Sequence, residues 1–452
     1  MAGRCLAAAV VALVAGVPWL APTASVAIAV SAAAPVDIDL TQDELGLWVT
    51  YADGTVEARG SGTPHHGNTP ALDLGESAIA LAPTAAAGYW IFTDRGRVFA
   101  FGDAPHHGDV GHLTLAAPVI AAAPTSTGDG YYLLGQDGGI FAFGDAVFRG
   151  SLPGLSVVPN APVVSMSATA DGYLLIAEDG GTFAFGDAGF HGSLPGLGLN
   201  PASPIVDLVP GSAGYLMLGA DGGIFNFGVS NYLGALVGFT GSPSVAVAVT
   251  DDLGGYVILT ADGTAWPFGT ARSAGVVRFT GVGDAVVAHP VPDRSAVRAV
   301  HTGTAGLFRV WALDAGGGVE DLLANTGGVS DGTYWLNAPA TAQFQIEAEG
   351  PWTLEIAPLH YARKWSWGLG PLSGSGSDVV MIVASGPRTL TADGTGAAQV
   401  WHHRGEFLLT RSLLINETAA FAGATDTIPG TPTHTYLELL AHDTISWTMW
   451  VP

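Results

Sequence analysis

Gly130-Tyr131-Tyr132-Leu133-Leu134-Gly135-Gln136-Asp137-Gly138-Gly139-Ile140-Phe141-Ala142-Phe143-Gly144-Asp145-Ala146 is one copy of a unit that decides the fold. It returns at Gly172-Tyr173 through Asp179-Gly180-Gly181-Thr182-Phe183-Ala184-Phe185-Gly186-Asp187-Ala188. Further copies begin at Gly214-Tyr215 and Gly255-Tyr256, and earlier ones at Gly88-Tyr89 and, more degenerate, at Gly46-Leu47-Trp48. The starting glycines 46, 88, 130, 172, 214 and 255 advance by 42, 42, 42, 42 and 41 residues. A fixed period of this length marks a repeat architecture.

Each unit reads as four short strands. In the fourth unit these are Pro162 to Ser167, Tyr173 to Ala177, Thr182 to Phe185 and Phe190 to Leu194. Val164 and Met166 alternate with Ser165 and Ser167, the period-two pattern of a strand. Asp179-Gly180 predicts a type I′ hairpin, which needs positive φ at both central residues. Phe183 and Phe185 share one face, as do Phe99/Phe101, Phe141/Phe143 and Phe225/Phe227. If buried between sheets, each contributes about 1.5–3 kcal/mol. Four strands in some 40 residues is the size of a propeller blade, and six units suffice for a closed ring with few exposed edges. The expected fold is all-β: a six-bladed β-propeller over 35–276, then two small β-sandwich modules over 277–373, with its linker, and 374–452. An open β-stack is the alternative arrangement. No unit carries the 3.6-residue apolar period of a helical solenoid.

The unit resembles the "GYW–DGGIFAFGDA–F–GS" repeat of secreted actinobacterial proteins, over about 41–276. The resemblance implies propeller-like repeats, often found beside cell-wall or peptidase-type catalytic domains, with no generally assigned ligand. This chain departs from the pattern at Arg95, where other units have Asp, and at Val229 and Thr270, which replace the aspartate of Phe-Gly-Asp.

After 277 a second self-similarity appears. Leu322-Leu323-Ala324-Asn325 matches Leu413-Leu414-Ile415-Asn416, and Phe344 to Ala348 with Trp352-Thr353-Leu354 matches Leu437 to Ala441 with Trp447-Thr448-Met449. Gly283-Asp284-Ala285-Val286-Val287 matches Ser377-Asp378-Val379-Val380 more loosely. These copies resemble a module common in actinobacterial secreted proteins, whose function is not established. The first keeps the module's His-x-Gly at His301-Thr302-Gly303; the second has Gly394-Thr395-Gly396 there.

Residues 1–34 read as a secretory signal peptide. Arg4 precedes an apolar run from Leu6 to Leu20, broken by Gly16 and Pro18, and small residues follow between Ala24 and Ala34. The expectation is a secreted or cell-surface protein with no membrane span after cleavage, beginning between 25 and 36. Cys5, the only cysteine, lies inside that segment, so the mature chain has no disulfide and no Cys-based metal site. Residues 35–276 hold 23 acidic residues against 5 Arg, so the repeats carry −18 of the chain's net −24. Such a surface repels phosphate backbones and excludes nucleic acid as a partner.

No compact catalytic motif is present: no Gly-x-Ser-x-Gly elbow, no His-Glu-x-x-His, no phosphate-binding glycine loop. The sequence therefore points to a non-catalytic binding or scaffold protein of the cell envelope or extracellular space, without cofactor or metal. Cell-wall glycan or another surface protein is the expected partner. The alternative is an extracellular propeller hydrolase or lyase acting on polysaccharide or peptide. Two ligand-binding candidates stand out. Asp137, Asp179, Asp221 and Asp262 recur at the Asp-Gly turns and form an acidic ring, or simply cap their own turns. Tyr361, Trp365 and Trp367 share parity, so an extended segment presents all three on one side, as a ligand platform if exposed and as inter-module packing if buried. His65-His66 and His106-His107 occupy equivalent places, but neighbouring strand residues face opposite ways, so neither pair alone chelates a metal.

Overall fold

The computed structural model describes residues 19–20, 33–84, 87–211, 214–228, 232–237, 240–252, 254–289, 291, 295–303, 306–336, 340–366, 371–383, 388–396, 398–404, 410–417, 419–428, 434–441 and 446–450. The chain is all-β, built from many small sheets, and the only helices among the described residues are short 3-10 turns. None is long and apolar enough to cross a membrane. Apart from Trp19–Leu20 and Ala33–Ala34, the expected signal segment lies outside the described residues.

Each 42-residue unit forms one antiparallel sheet of three strands, with the middle strand between the other two. The first strands are Pro35–Leu40, Ala78–Pro83, Val119–Pro124, Val163–Ala168, Ile205–Gly211 and Ser244–Val249. Successive first strands lie against one another in that order, and Ser244–Val249 lies against Pro35–Leu40. Each carries a bulge near its start, for example between Val163 and Ser165 and between Ile205 and Asp207, which adds local twist. The middle strands from Gly88–Thr93 to Gly255–Thr260 are buried along their whole length, because neighbouring sheets cover both faces. Where the sixth unit meets the first, Ile38, Leu47 and Val49 share a core with Ala246, Val257 and Leu259, and Gly275 N donates to Leu45 O at 3.0 Å.

The recurring Gly-Tyr explains how adjacent sheets are joined. Tyr173 is fully buried in the fourth unit, yet its hydroxyl reaches the linker that leaves the third. It donates to Gly150 O at 2.5 Å and accepts from Arg149 N at 3.1 Å. Tyr89 treats Gly67 and His66 the same way, and Tyr131 treats Gly108 and His107 so. Phe185 lies 5.4 Å from Tyr173, ring to ring, and covers Gly150. A Cβ on Gly150 would come within 3.0 Å of that ring, and its φ of +125° is itself unfavourable for other residues.

Two local expectations are corrected. Phe190 to Leu194 is not a fourth strand. Gly192 has φ +126°, and the Tyr215 hydroxyl takes its carbonyl and the His191 N–H, so these backbone groups do not enter a ladder. The Asp179-Gly180 hairpin is not type I′, because only Gly180 has positive φ (+77°). Gly180 N donates to Ala177 O at 2.8 Å, and Ala177 N to Gly181 O at 2.9 Å. That is a type I turn followed by a left-handed glycine, the three-residue loop with a G1 bulge.

Beyond 277, two units share one strand order. In the first, Trp19–Leu20, Ala285–Ala288, Thr341–Ala348, Leu307–Asp314 and Val319–Gly327 make one sheet. Val277–Val282, Pro351–Pro358, Ser295–His301 and Ser330–Leu336 make the other, and the two faces enclose a common core around Val297, Phe308, Phe344 and Leu354. The second unit repeats this with Arg363–Ser366, Asp378–Val383, His434–Ala441, Ala398–Arg404 and Thr410–Glu417 facing Leu372–Ser375, Ser446–Trp450, Arg388–Gly394 and Phe421–Ile428. The Trp-Thr motif has a mechanical basis. The Trp352 indole covers Gly281 and donates to Gly283 O at 2.8 Å; Trp447 covers Gly374 and donates to Gly376 O at 2.9 Å. Trp447→Phe is therefore expected to cost about 1–3 kcal/mol by leaving a buried carbonyl unmatched, read as a lowered urea midpoint.

Candidate functional site

The four turn aspartates are not brought together. Each stays on its own hairpin, where Asp137 Oδ1 accepts from Gly139 N at 2.9 Å, Asp179 Oδ1 from Gly181 N at 2.8 Å, Asp221 Oδ1 from Gly223 N at 2.9 Å and Asp262 Oδ1 from Thr264 N at 3.0 Å. This is turn-capping chemistry. Among the described residues, no group of three or more His, Cys, Asp or Glu lies close enough to hold a metal ion.

Asp137 does, however, line an open groove of about 590 Å³. The opposite wall is the linker after the third unit, with Val157, Val158, Pro159 and Asn160. That linker starts with a 3-10 turn, Pro153–Leu155, repeated one unit later as Pro195–Leu197. Both turns push a leucine into solvent: Leu155 is 63% exposed and Leu197 64%, and Val158 beside the groove is 89% exposed. The hairpins and these linkers thus give one end of the repeat region an acidic surface with apolar projections.

The aromatic candidates separate. Tyr361 ends the 3-10 turn Leu359–Tyr361 and is buried with Val276 and Ala357, and burial pushes its hydroxyl up to about 12. The extended segment begins only at Arg363, so Tyr361 does not continue its parity. The backbone of Trp365 pairs in parallel with Ile382; its side chain and all of Trp367 lie outside the described residues. The neighbouring His360 ring sits 5.1 Å from Trp266 of the sixth unit. The histidine pairs split as their parity predicts. His65 Nε2 lies 3.1 Å from Val56 O, while His66 turns inward against Tyr89.

Three acidic residues that sequence reading passed over face inward from the first strands. Asp37 Oδ2 accepts from Leu81 N of the next sheet at 2.8 Å, and Asp207 Oδ2 from Val247 N at 2.9 Å. Ser165 Oγ donates to Asp207 Oδ1 at 2.8 Å. Asp39 Oδ2 is buried with no partner. All three residues are half-buried. Burial raises all three carboxyls, Asp207 to about 6, and the Asp37 and Asp207 charges raise Asp39 further. Val36-Asp37-Ile38-Asp39, set against Ala78-Ile79-Ala80-Leu81-Ala82 at the same place, was the available signal.

The Phe-Gly-Asp aspartates prove to be turn caps at the opposite end of the sheets. Asp145 accepts from Thr125 Oγ1 at 2.8 Å, and Asp187 from Thr169 Oγ1 at 2.9 Å.

No family model matches the chain, and no curated protein matches it. Among solved structures, the chain is similar to BBS1N, crystallised in complex with ARL6DN, at 14% identity and a TM-score of 0.33, over 50% of this chain and 74% of that one. It is also similar to the computationally designed Ika8 protein at 16% identity and a TM-score of 0.32, over 70% of this chain and 96% of that one. At such scores neither likeness carries an argument.

Proposed function

We propose that residues 35–276 are a six-bladed propeller of three-stranded blades, and that the protein is an exported, non-catalytic binding or scaffold protein of the cell envelope or extracellular space. The cyclic adjacency of the six first strands supports the ring, as do the contacts between the sixth unit and Leu45, Leu47 and Val49. The repeat motif, resembling that of secreted actinobacterial proteins, supports export. N-terminal sequencing of secreted material is expected to start between 25 and 36; an intact Met1 in a soluble cytoplasmic pool overturns it.

The observation that carries the binding role is the groove between the Asp137 turn and the Val157–Asn160 wall, on the end that also displays Leu155 and Leu197. Rigid sheets holding variable loops suit recognition, and a surface this acidic favours cationic or neutral partners. Binding of the purified protein to isolated cell walls tests it. The triple variant Asp137→Asn, Asp179→Asn, Asp221→Asn keeps the turn preference and is expected to bind several-fold more weakly, with a flatter salt dependence. Val158→Ser is expected to weaken binding without altering its response to salt. Unchanged binding in both variants removes this face as the site.

A further inference from the structure

The linkers that leave the third and fourth units are near-copies. Phe148-Arg149-Gly150-Ser151-Leu152-Pro153-Gly154-Leu155 returns as Phe190-His191-Gly192-Ser193-Leu194-Pro195-Gly196-Leu197, and no other unit has it. They also share one conformation, with φ +125° at Gly150 and +126° at Gly192, each followed by its 3-10 turn. Each runs along the outer side of its sheet. The first strands pack against one another, so the third strands are outermost. The third unit's linker leaves the outer strand at Gly144 and reaches the far hairpin, where Leu152 N donates to Gly138 O at 3.3 Å. Phe148 therefore lies midway, on the flank, away from the groove at the hairpin end.

One position decides what this flank shows to solvent. In the first five units the residue two before the left-handed linker glycine points outward: His65, His106, Phe148, Phe190 and Tyr232 are all exposed. In the first two units the imidazole bonds back to its own outer strand, His65 Nε2 to Val56 O at 3.1 Å and His106 Nε2 to Val98 O at 3.2 Å. A phenyl ring has no such bond to make, and Phe148 stays 56% exposed and Phe190 60%. Of the sixteen large apolar side chains exposed among the described residues, eight sit on these two linkers, a concentration that marks an interaction surface. Charge says which partner fits. Residues 146–162 carry one charge, Arg149, which is paired with Asp171, and residues 188–204 carry none. The matching linkers of the first two units carry Asp73, Glu76 and Asp109. A cationic partner gains nothing from an uncharged flank. A second copy of this chain, itself at −24, is repelled by the acidic surfaces and meets no acid here. The duplication supplies the matching shape. A two-fold axis running between the third and fourth sheets sets Phe148 of one copy against Phe190 of its partner, twice, as an isologous contact requires.

We propose that the third and fourth units form the interface of a homodimer, with Phe148 of each copy packed on Phe190 of the other. The contact uses the flank and not the groove, so it stands apart from envelope binding. Sedimentation equilibrium of the full purified protein tests it. A dimer is expected, and its dissociation constant is expected to fall several-fold between about 0.1 and about 1 M salt, because screening relieves the repulsion between copies. That is the opposite of the response expected for a cationic partner. Phe148→Ser and Phe190→Ser are each expected to weaken the dimer at least about tenfold, since each change is felt twice across the axis. Both side chains are exposed, so the urea midpoint should stay close to the parent's. Asp137→Asn and Val158→Ser, at the groove, are expected to leave the dimer unchanged. Phe148→Lys and Phe190→Asp are each expected to be monomeric where the parent is dimeric. Their equimolar mixture is expected to recover a heterodimer, in which one lysine faces one aspartate and the other phenylalanine pair is intact. A monomer at both salt concentrations, a dimer indifferent to Phe148→Ser and Phe190→Ser, or a mixture that stays monomeric overturns the proposal.

Discussion

Tyr173→Ala is expected to destabilise the repeat region by about 3–5 kcal/mol, the range for emptying a buried aromatic site. Tyr173→Phe is expected to cost about 1–3 kcal/mol. The two values separate the roles of this residue. The ring fills space between Tyr132, 5.0 Å away, and Phe185, and Ala forfeits all of that. Phe keeps the ring but leaves Gly150 O and Arg149 N without the hydroxyl that ties them to the next sheet. Urea unfolding followed by tryptophan fluorescence reads both. Loss of the joint between the third and fourth sheets is also expected to broaden the transition, because a repeat array loses cooperativity where neighbours uncouple. Near-neutral midpoints for both variants would show that the linker is held by something else. Phe185→Ala belongs to the same joint and should fall in the same range, whereas half-buried Phe183 should lose less when truncated.

The period, the strand positions and the paired phenylalanines were all legible in the sequence because each rests on local alternation or on a turn glycine. The missing fourth strand was not. Phe190 to Leu194 alternates well enough, but its conformation is set by a hydroxyl from the following unit, a contact some 23 residues away that no local pattern announces. The turn type failed for a related reason. Asp-Gly is compatible with two hairpin loops, and the hydrogen bond from Ala177 N to Gly181 O selects the longer one. The duplicated Trp-Thr motif marked two copies of one unit, though not the indole-to-carbonyl bond that demands it. Of the site candidates, the aspartates at the turns were visible because they repeat. Asp37, Asp39 and Asp207 break the repeat, and a search for recurring chemistry passes over what only two units carry. His66 was noticed as half of a pair, but its ring packs against Trp48 and Tyr89 from two different units, which no local pattern announces.

Those inward aspartates make stability depend on pH in an unusual direction. Burial pushes the Asp207 carboxyl up to about 6, despite bonds from Val247 N, Ser165 Oγ and Leu208 N that favour its charged form. In the unfolded chain it titrates near 3.9. Between those values the folded state binds the extra proton, so stability is full below about pH 4 and falls as pH rises towards 6. A shift of this size corresponds to at most about 3 kcal/mol, and because Asp207 is only half-buried solvent screening reduces it to about 1–2 kcal/mol. Asp37, raised further by the same burial and by the Asp207 charge, extends the loss to higher pH. The expected result is a urea midpoint that declines from pH 4 to pH 8. Asp207→Asn should flatten the lower part of that decline and Asp37→Asn the upper part. Asn preserves one acceptor for Val247 N or Leu81 N but not every bond, so the absolute midpoint of either variant can drop. The slope is the informative quantity, and taking it as a difference from the parent removes the contribution of the net −24 charge, which relaxes on acidification in every variant. A parent midpoint that instead rises from pH 4 to 8, with the same slope in both variants, would mean that these carboxyls are hydrated as freely in the folded protein as in the unfolded chain.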